Sequence, residues 1–189
     1  MTEIKRSVQV SDPDTEPLTL SQAKKHLEIA VSDNTHDVHV SALITAAREV
    51  FEHDTQIITS EREVQEKLSQ WPDDCWRLYH RPIIQIDAIE YFASDGTESS
   101  LNDSQYSADL PNRIIHRAVG SNWPALAQRW DAVTIEYIAG YAEVPEIFKS
   151  AIKLKLDCLF ELRGETTKMP ASEKAYEMLV KRYHRSSYP

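Results

Sequence analysis

The chain has 189 residues, 41% of them hydrophobic and 27% charged, and a formal net charge of −9. That mixture is too apolar for a disordered polypeptide, and no apolar run approaches the roughly 20 residues needed to span a bilayer. The acidic balance argues against a protein whose main task is gripping nucleic-acid phosphates, and MTEIKRSVQVSDPDTEP at the start lacks the apolar core of a secretory signal.

Residues 1–16 are polar and are expected to form a flexible N-terminus. Structure is expected to begin at PLTLSQAKKHLEI, where Thr19 and Gln22 have the spacing of a capping box and Leu20, Ala23, Lys24 and Leu27 give a short helix over 19–28. SDNTHD is a loop rich in N-cap residues. After it Val40, Leu43, Ile44, Ala47, Val50 and Phe51 recur at helical spacing, which predicts an amphipathic helix over 36–54 that needs a partner. QIITSEREVQEKLSQWP suits two states. Its charges fit a helix, while Ile57, Ile58, Thr59 and Val64 fit an exposed strand, which is the reading adopted. WRLYHRPIIQIDAIEYFASDGTESSL reads as strands joined at an Asp95-Gly96 turn, with Pro82 at a strand start or edge. QYSADL, NRIIHRAV and DAVTIEYIAGY complete a β region of about 56–138.

A helix over 145–163 follows, with two apolar stripes: Ile147, Ala151, Leu154, Cys158 and Leu162, and beside them Phe148, Ile152, Leu156 and Leu159. Lys155 falls between the stripes. GETTKMPA is a linker, and Ser172 to Arg185 places Tyr176, Leu179, Val180 and Tyr183 on one helical face, so 166–189 is linker plus C-terminal helix. The fold class is α+β: a small helical bundle, N- and C-terminal helices packed together, with an inserted antiparallel β region.

Catalytic signatures are weak. His36 and His39 beside Asp37 have helical spacing for two metal ligands but no third at diagnostic spacing, so no metal is expected. Asp12/Asp14 and Asp73/Asp74 are paired carboxylates of the kind a hydrolase uses, set in loops where Asp forms turns. No nucleophile elbow, zinc-protease motif or phosphate-binding loop occurs. Cys75 and Cys158 stand in unlike contexts and read as reduced thiols. No catalytic residue and no cofactor is expected, and the chain is not read as an enzyme. Trp71, Trp76, Trp123 and Trp130 flank loops or strand ends; Trp-Pro at 71–72 and at 123–124 suits the capping of a small apolar layer, with an interface as the other reading.

From Pro145 onward nine Lys/Arg stand against six Asp/Glu, so the remainder carries twelve basic and twenty-four acidic residues. This is either a solvated acidic surface or two poles that meet different partners.

The succession EPLTLSQAKKHL, AAREVFEHDTQ, IITSEREVQEKLSQWP, HRPIIQIDAIEYFASDG, NWP and AVTIEYIAGYAEVPEIFKSAI resembles the head–tail connector, or adaptor, proteins of long-tailed bacteriophages and prophages. The resemblance runs from about Pro17 to Leu162, and the 17–165 stretch is on that basis a connector domain. It departs at Glu61–Lys67 and in the basic last helix. It implies a structural virion protein at the head–tail junction, assembled in the bacterial cytoplasm. Such a protein forms a ring, commonly of twelve subunits, below the portal protein. The ring extends the channel through which DNA passes without sequence-specific binding, and it docks stopper or tail-completion proteins. On this reading Phe148, Ile152, Lys155, Leu156 and Leu159 form a subunit interface, and Lys155→Glu blocks assembly while sparing the fold. The alternative is an internal helix whose Lys155 reaches water along a buried stem. Lys181, Arg182 and Arg185 are candidate partner contacts, or complements to a helix dipole. The rival functions are a small hydrolase using the acidic loop carboxylates and a protein-interaction module unrelated to phage.

Overall fold

The computed structural model describes residues 6–73, 75–161 and 171–183. The elements follow in chain order as β1 (Arg6–Val10), α1 (Leu20–His26), α2 (Asp37–Thr55), β2 (Arg62–Leu68), β3 (Cys75–Arg77), β4 (Ile83–Phe92), β5 (Glu98–Ser100), β6 (Tyr106–Asp109), β7 (Ile114–Arg117), β8 (Val133–Ala139), α3 (Glu146–Glu161) and α4 (Ala171–Val180). The fold is α+β with antiparallel sheets, as the periodicities require. It divides into two compact units, each assembled from separate stretches of chain: a β unit, 1–13 with 61–140, and a helical unit, 14–60 with 141–189.

In the β unit a five-stranded sheet runs β1-β2-β8-β4-β5 and a three-stranded sheet runs β3-β7-β6. Alternation decides the faces. On β2, Arg62, Val64, Glu66 and Leu68 point inward while Glu63, Gln65 and Lys67 point out; on β8, Val133, Ile135, Tyr137 and Ala139 point inward. Register pairs Gln65 with Glu136 and Glu66 with Ile135, and irregularities in β4 fall between Ile83 and Gln85 and between Ile86 and Ala88. The β4–β5 hairpin closes at Asp95-Gly96. Gly96 takes φ +86°, its N–H donates to the Ala93 carbonyl at 2.8 Å, and Asp95 Oδ1 accepts from the Thr97 N–H at 2.9 Å.

Two features of this unit differ from the sequence expectation. The N-terminus is not flexible throughout, because Arg6–Val10 pairs along its whole length with β2, Arg6 opposite Leu68 and Val10 opposite Val64. The ambiguous stretch is a strand only from Arg62; Ile57, Ile58 and Thr59 are buried in the turn that leaves α2.

The helical unit is held by Leu18, Ala23, Val40, Ile44, Ala47, Phe51, Ile57, Phe148, Ala151, Ile152, Leu156, Tyr176 and Val180. Thr19 and Gln22 form the capping box of α1. Gln56 ends α2 in the left-handed region, φ 58°. Its last turn is braced from below: Glu52 accepts from the Thr59 N–H and hydroxyl at 2.9 and 2.6 Å and pairs with Arg48 at 3.0 Å, while Arg48 reaches Glu16 at 2.9 Å. Lys24, fully buried, donates to the Val31 carbonyl and to Asp37 at 2.9 and 2.6 Å. The C-terminal helix belongs to this core rather than trailing from it, since Tyr176 and Val180 are buried in it.

Candidate interaction surfaces

The stripe assigned to a subunit interface lies inside the subunit. Phe148, Ile152 and Leu156 are buried, and Phe148 meets the rings of Phe51 at 5.4 Å, Tyr141 at 5.6 Å and Tyr183 at 5.3 Å. Leu159 is half-buried against the same core. Lys155 does not reach outward. Its Nζ lies 2.8 and 2.9 Å from the two Glu173 carboxylate oxygens and 4.9 Å from the centre of the Tyr176 ring, all on α4. The assigned stripe packs inside the subunit, where α3 meets both α2 and α4, while Ile147 at the start of the other stripe is 45% exposed. Burial pushes the Glu173 carboxyl up, and the Cys158 thiol together with Lys155 outweighs it, so the group sits below its ordinary value. Burial and the neighbouring Glu173 carboxylate raise the Cys158 thiol to about 11.

Of the basic trio, Lys181 and Arg182 are exposed just beyond α4, and Arg185 is outside the described residues. Exposed with them on α4 are Ala171, Lys174, Ala175 and Met178, the last at 69%. Lys174, Met178 and Lys181 follow at helical spacing and form an outward stripe, flanked by the exposed carboxylate of Glu177. In the sequence this stripe is the complement of the apolar Tyr176–Val180 face.

The outer face of the five-stranded sheet is polar and mostly acidic. A shallow cleft of about 430 Å³ opens there among Gln9, Ser11, Glu63, Gln65, Asp87 and Glu136. Gln65 donates to Glu136 at 2.8 Å and Gln85 to Asp87 at 2.6 Å. Glu90 and Lys67 lie further along the same face, on β4 and β2.

The inner face carries a second carboxylate that sequence reading missed. Glu66 is fully buried; its Oε1 accepts from the Tyr79 N–H and the Tyr137 hydroxyl, both at 2.6 Å, and Oε2 lies 3.7 Å from Arg6 Nε. Burial raises the Glu66 carboxyl above its ordinary value against the pull of Arg6, Tyr137 and Tyr79. The two Trp-Pro pairs form one clasp, with Trp71 and Trp123 stacked at 4.7 Å, Trp71 donating to the Pro124 carbonyl at 2.9 Å and Trp123 to the Pro72 carbonyl at 3.1 Å. Trp76 is buried and Trp130 is 57% exposed.

Asp12, Asp14 and Asp73 are exposed in loops, and Asp74 is outside the described residues. His39 faces Phe160, ring centres 6.4 Å apart. Among the described residues no group of three or more His, Cys, Asp or Glu side chains is placed to hold a metal ion.

No protein-family model matches the chain, and no curated protein does. Solved structures do. A chain in the neck of an empty gene transfer agent particle, computed with C6 symmetry, superposes with a TM-score of 0.76 at 19% identity, over 97% of both chains. A chain of the native particle's virion gives 0.78 at 18% identity, over 96% of this chain and 97% of that one. A chain in the native particle's neck, computed with C12 symmetry, gives 0.67 at 18% identity over the same shares. The fold is one found in the necks of these particles. It covers the β unit and the helical unit alike, including the last helix, where the sequence resemblance stops.

Proposed function

We propose that the protein is a structural component of the neck of a phage or phage-like particle, a head–tail connector subunit that assembles into a ring below the portal, extends the DNA channel and carries stopper or tail-completion proteins. The observation that supports this best is the fold shared over nearly the whole chain with chains from necks described in C6 and C12 symmetry. The ordered connector motifs of the sequence point the same way. A channel subunit must let DNA slide past without holding it, and a chain of net charge −9 repels phosphate within about one Debye length, roughly 8 Å at physiological salt.

The test is mass in solution over a wide concentration range, by light scattering after size exclusion, with the chain alone and with the portal protein of the same genome. Closed rings, or a stoichiometric complex with the portal, are expected. A strict monomer that ignores the portal overturns the proposal.

A further inference from the structure

Among the described residues, each unit carries an exposed charged face, and the two faces are unlike. On the helical unit it is the outward side of α4, basic at Lys174, Lys181 and Arg182 with Met178 between the lysines. On the β unit it is the outer sheet face, where Glu63 on β2, Glu136 on β8 and Asp87 on β4 surround the cleft.

Their dimensions agree. The Lys181 N–H donates to the Glu177 carbonyl at 3.0 Å, so the helical path continues one residue past α4, and Lys174 and Lys181 are seven residues apart on it, about 10 Å at 1.5 Å per residue. Across β8 from Glu63 stands Gln85, and Asp87 follows two residues on, so two inter-strand spacings and an offset along the strand separate the two carboxylates, about 11 Å. The two lysines thus match the two outer carboxylates, while Glu136 between them keeps its hydrogen bond from Gln65. In both Glu136 and Asp87 a glutamine amide fixes the carboxylate in place. A ring requires two different faces on every subunit, because a head-to-tail contact closes only when one surface meets another that is not itself.

We propose that the α4 stripe of one copy lies across the acidic sheet face of the next copy, with Lys174 and Lys181 reaching Glu63 and Asp87 and Met178 covered between them. The occupant is a second copy of this chain, chosen by charge complementarity and by the match of spacings, and the inference rests on the ring reading above. The contact forms in low salt and weakens as sodium chloride rises to 1 M.

Two double variants test it, each first confirmed as folded by circular dichroism. Lys174→Glu with Lys181→Glu makes the helix face acidic, and Glu63→Lys with Asp87→Lys makes the sheet face basic. Mass photometry of each alone, with and without the portal, should show association weakened by about 100-fold or more, since like charges then face each other. Mixed in equal amounts they should recover rings in which the two variants alternate, so only even-numbered rings appear. Wild-type rings that survive either variant, or folded variants that fail to recover on mixing, overturn the seam and leave the ring reading standing. A wild type that stays monomeric with and without the portal removes the ring reading and the seam with it.

Discussion

Lys155 shows how one side chain is decided by its partner. Held by both oxygens of Glu173 and set against the Tyr176 ring, it ties α3 to α4. Lys155→Glu should therefore lower the stability of the helical unit itself, by about 2 kcal/mol, between an exposed ion pair and a buried one. Chemical denaturation read by far-ultraviolet circular dichroism measures it; an unchanged midpoint would show that the pair contributes nothing. Glu66 works in the opposite sense. Its folded carboxyl is raised above the ordinary 4.5, so its favourable share of stability is complete below that pH and is lost as pH rises through the folded value. Glu66→Gln should gain on the wild type as pH climbs from about 4 to 7, a divergence visible in thermal midpoints. A constant gap across that range would mean the carboxyl is not raised. Glu173, held below its ordinary value, acts inversely: its contribution is present at neutral pH and lost only in acid, below 4.5. Neither arrangement is legible locally. Glu173 lies eighteen residues beyond Lys155, and Glu66 occupies an inward strand position that its own charge disguises.

At the scale of elements, strong periodicity was readable and weak periodicity was not. The apolar repeats of α2 and α3, the capping box at Thr19 and the Asp95-Gly96 hairpin all follow from local chemistry. The β2 strand was ambiguous because two of its four inward positions, Arg62 and Glu66, are charged. The β1 strand was missed because RSVQV is short and mostly exposed, and its pairing partner is distant in sequence. The double stripe of α3 was correctly read as two contacts, but the second partner is α4 of the same chain, a fact that depends on tertiary folding rather than on the stripe. At the hairpin, Gly96→Ala has open space around the new methyl, so the cost is the left-handed backbone alone, about 1 kcal/mol. A loss several times larger in urea denaturation would point to a tertiary role for that turn.

At the scale of the whole molecule, two cores are built from interleaved stretches of one chain. Truncating a buried residue should loosen the unit that holds it. Ile152→Ala, costing about 2–5 kcal/mol, should speed amide exchange across α1 to α4, and Ile135→Ala should do so across the five-stranded sheet. Mass spectrometry of the exchanged peptides distinguishes this from a uniform loss of protection, which would describe a single cooperative body. The split into a bundle of N- and C-terminal helices and an inserted β region of about 56–138 was legible in the sequence, whereas the addition of the first strand to the β unit was not. The uneven spread of charge along the chain was legible, while the faces that carry it depend on the alternation of β2 and β8, which sorts the carboxylates inward from outward.

The position of β1 has a consequence for synthesis. As the nascent chain leaves the ribosome, Arg6–Val10 emerges before the other strands, yet the edge it joins is not made until β2 follows, and β2 gains its other neighbour only with β8. At ~5–20 residues per second that first strand waits for seconds with its backbone unpaired. The helices that follow it wait longer, because Tyr176 and Val180 complete their core from α4. Translation therefore finishes the β unit before the helical unit, although helices α1 and α2 are made earlier than all but one of the strands.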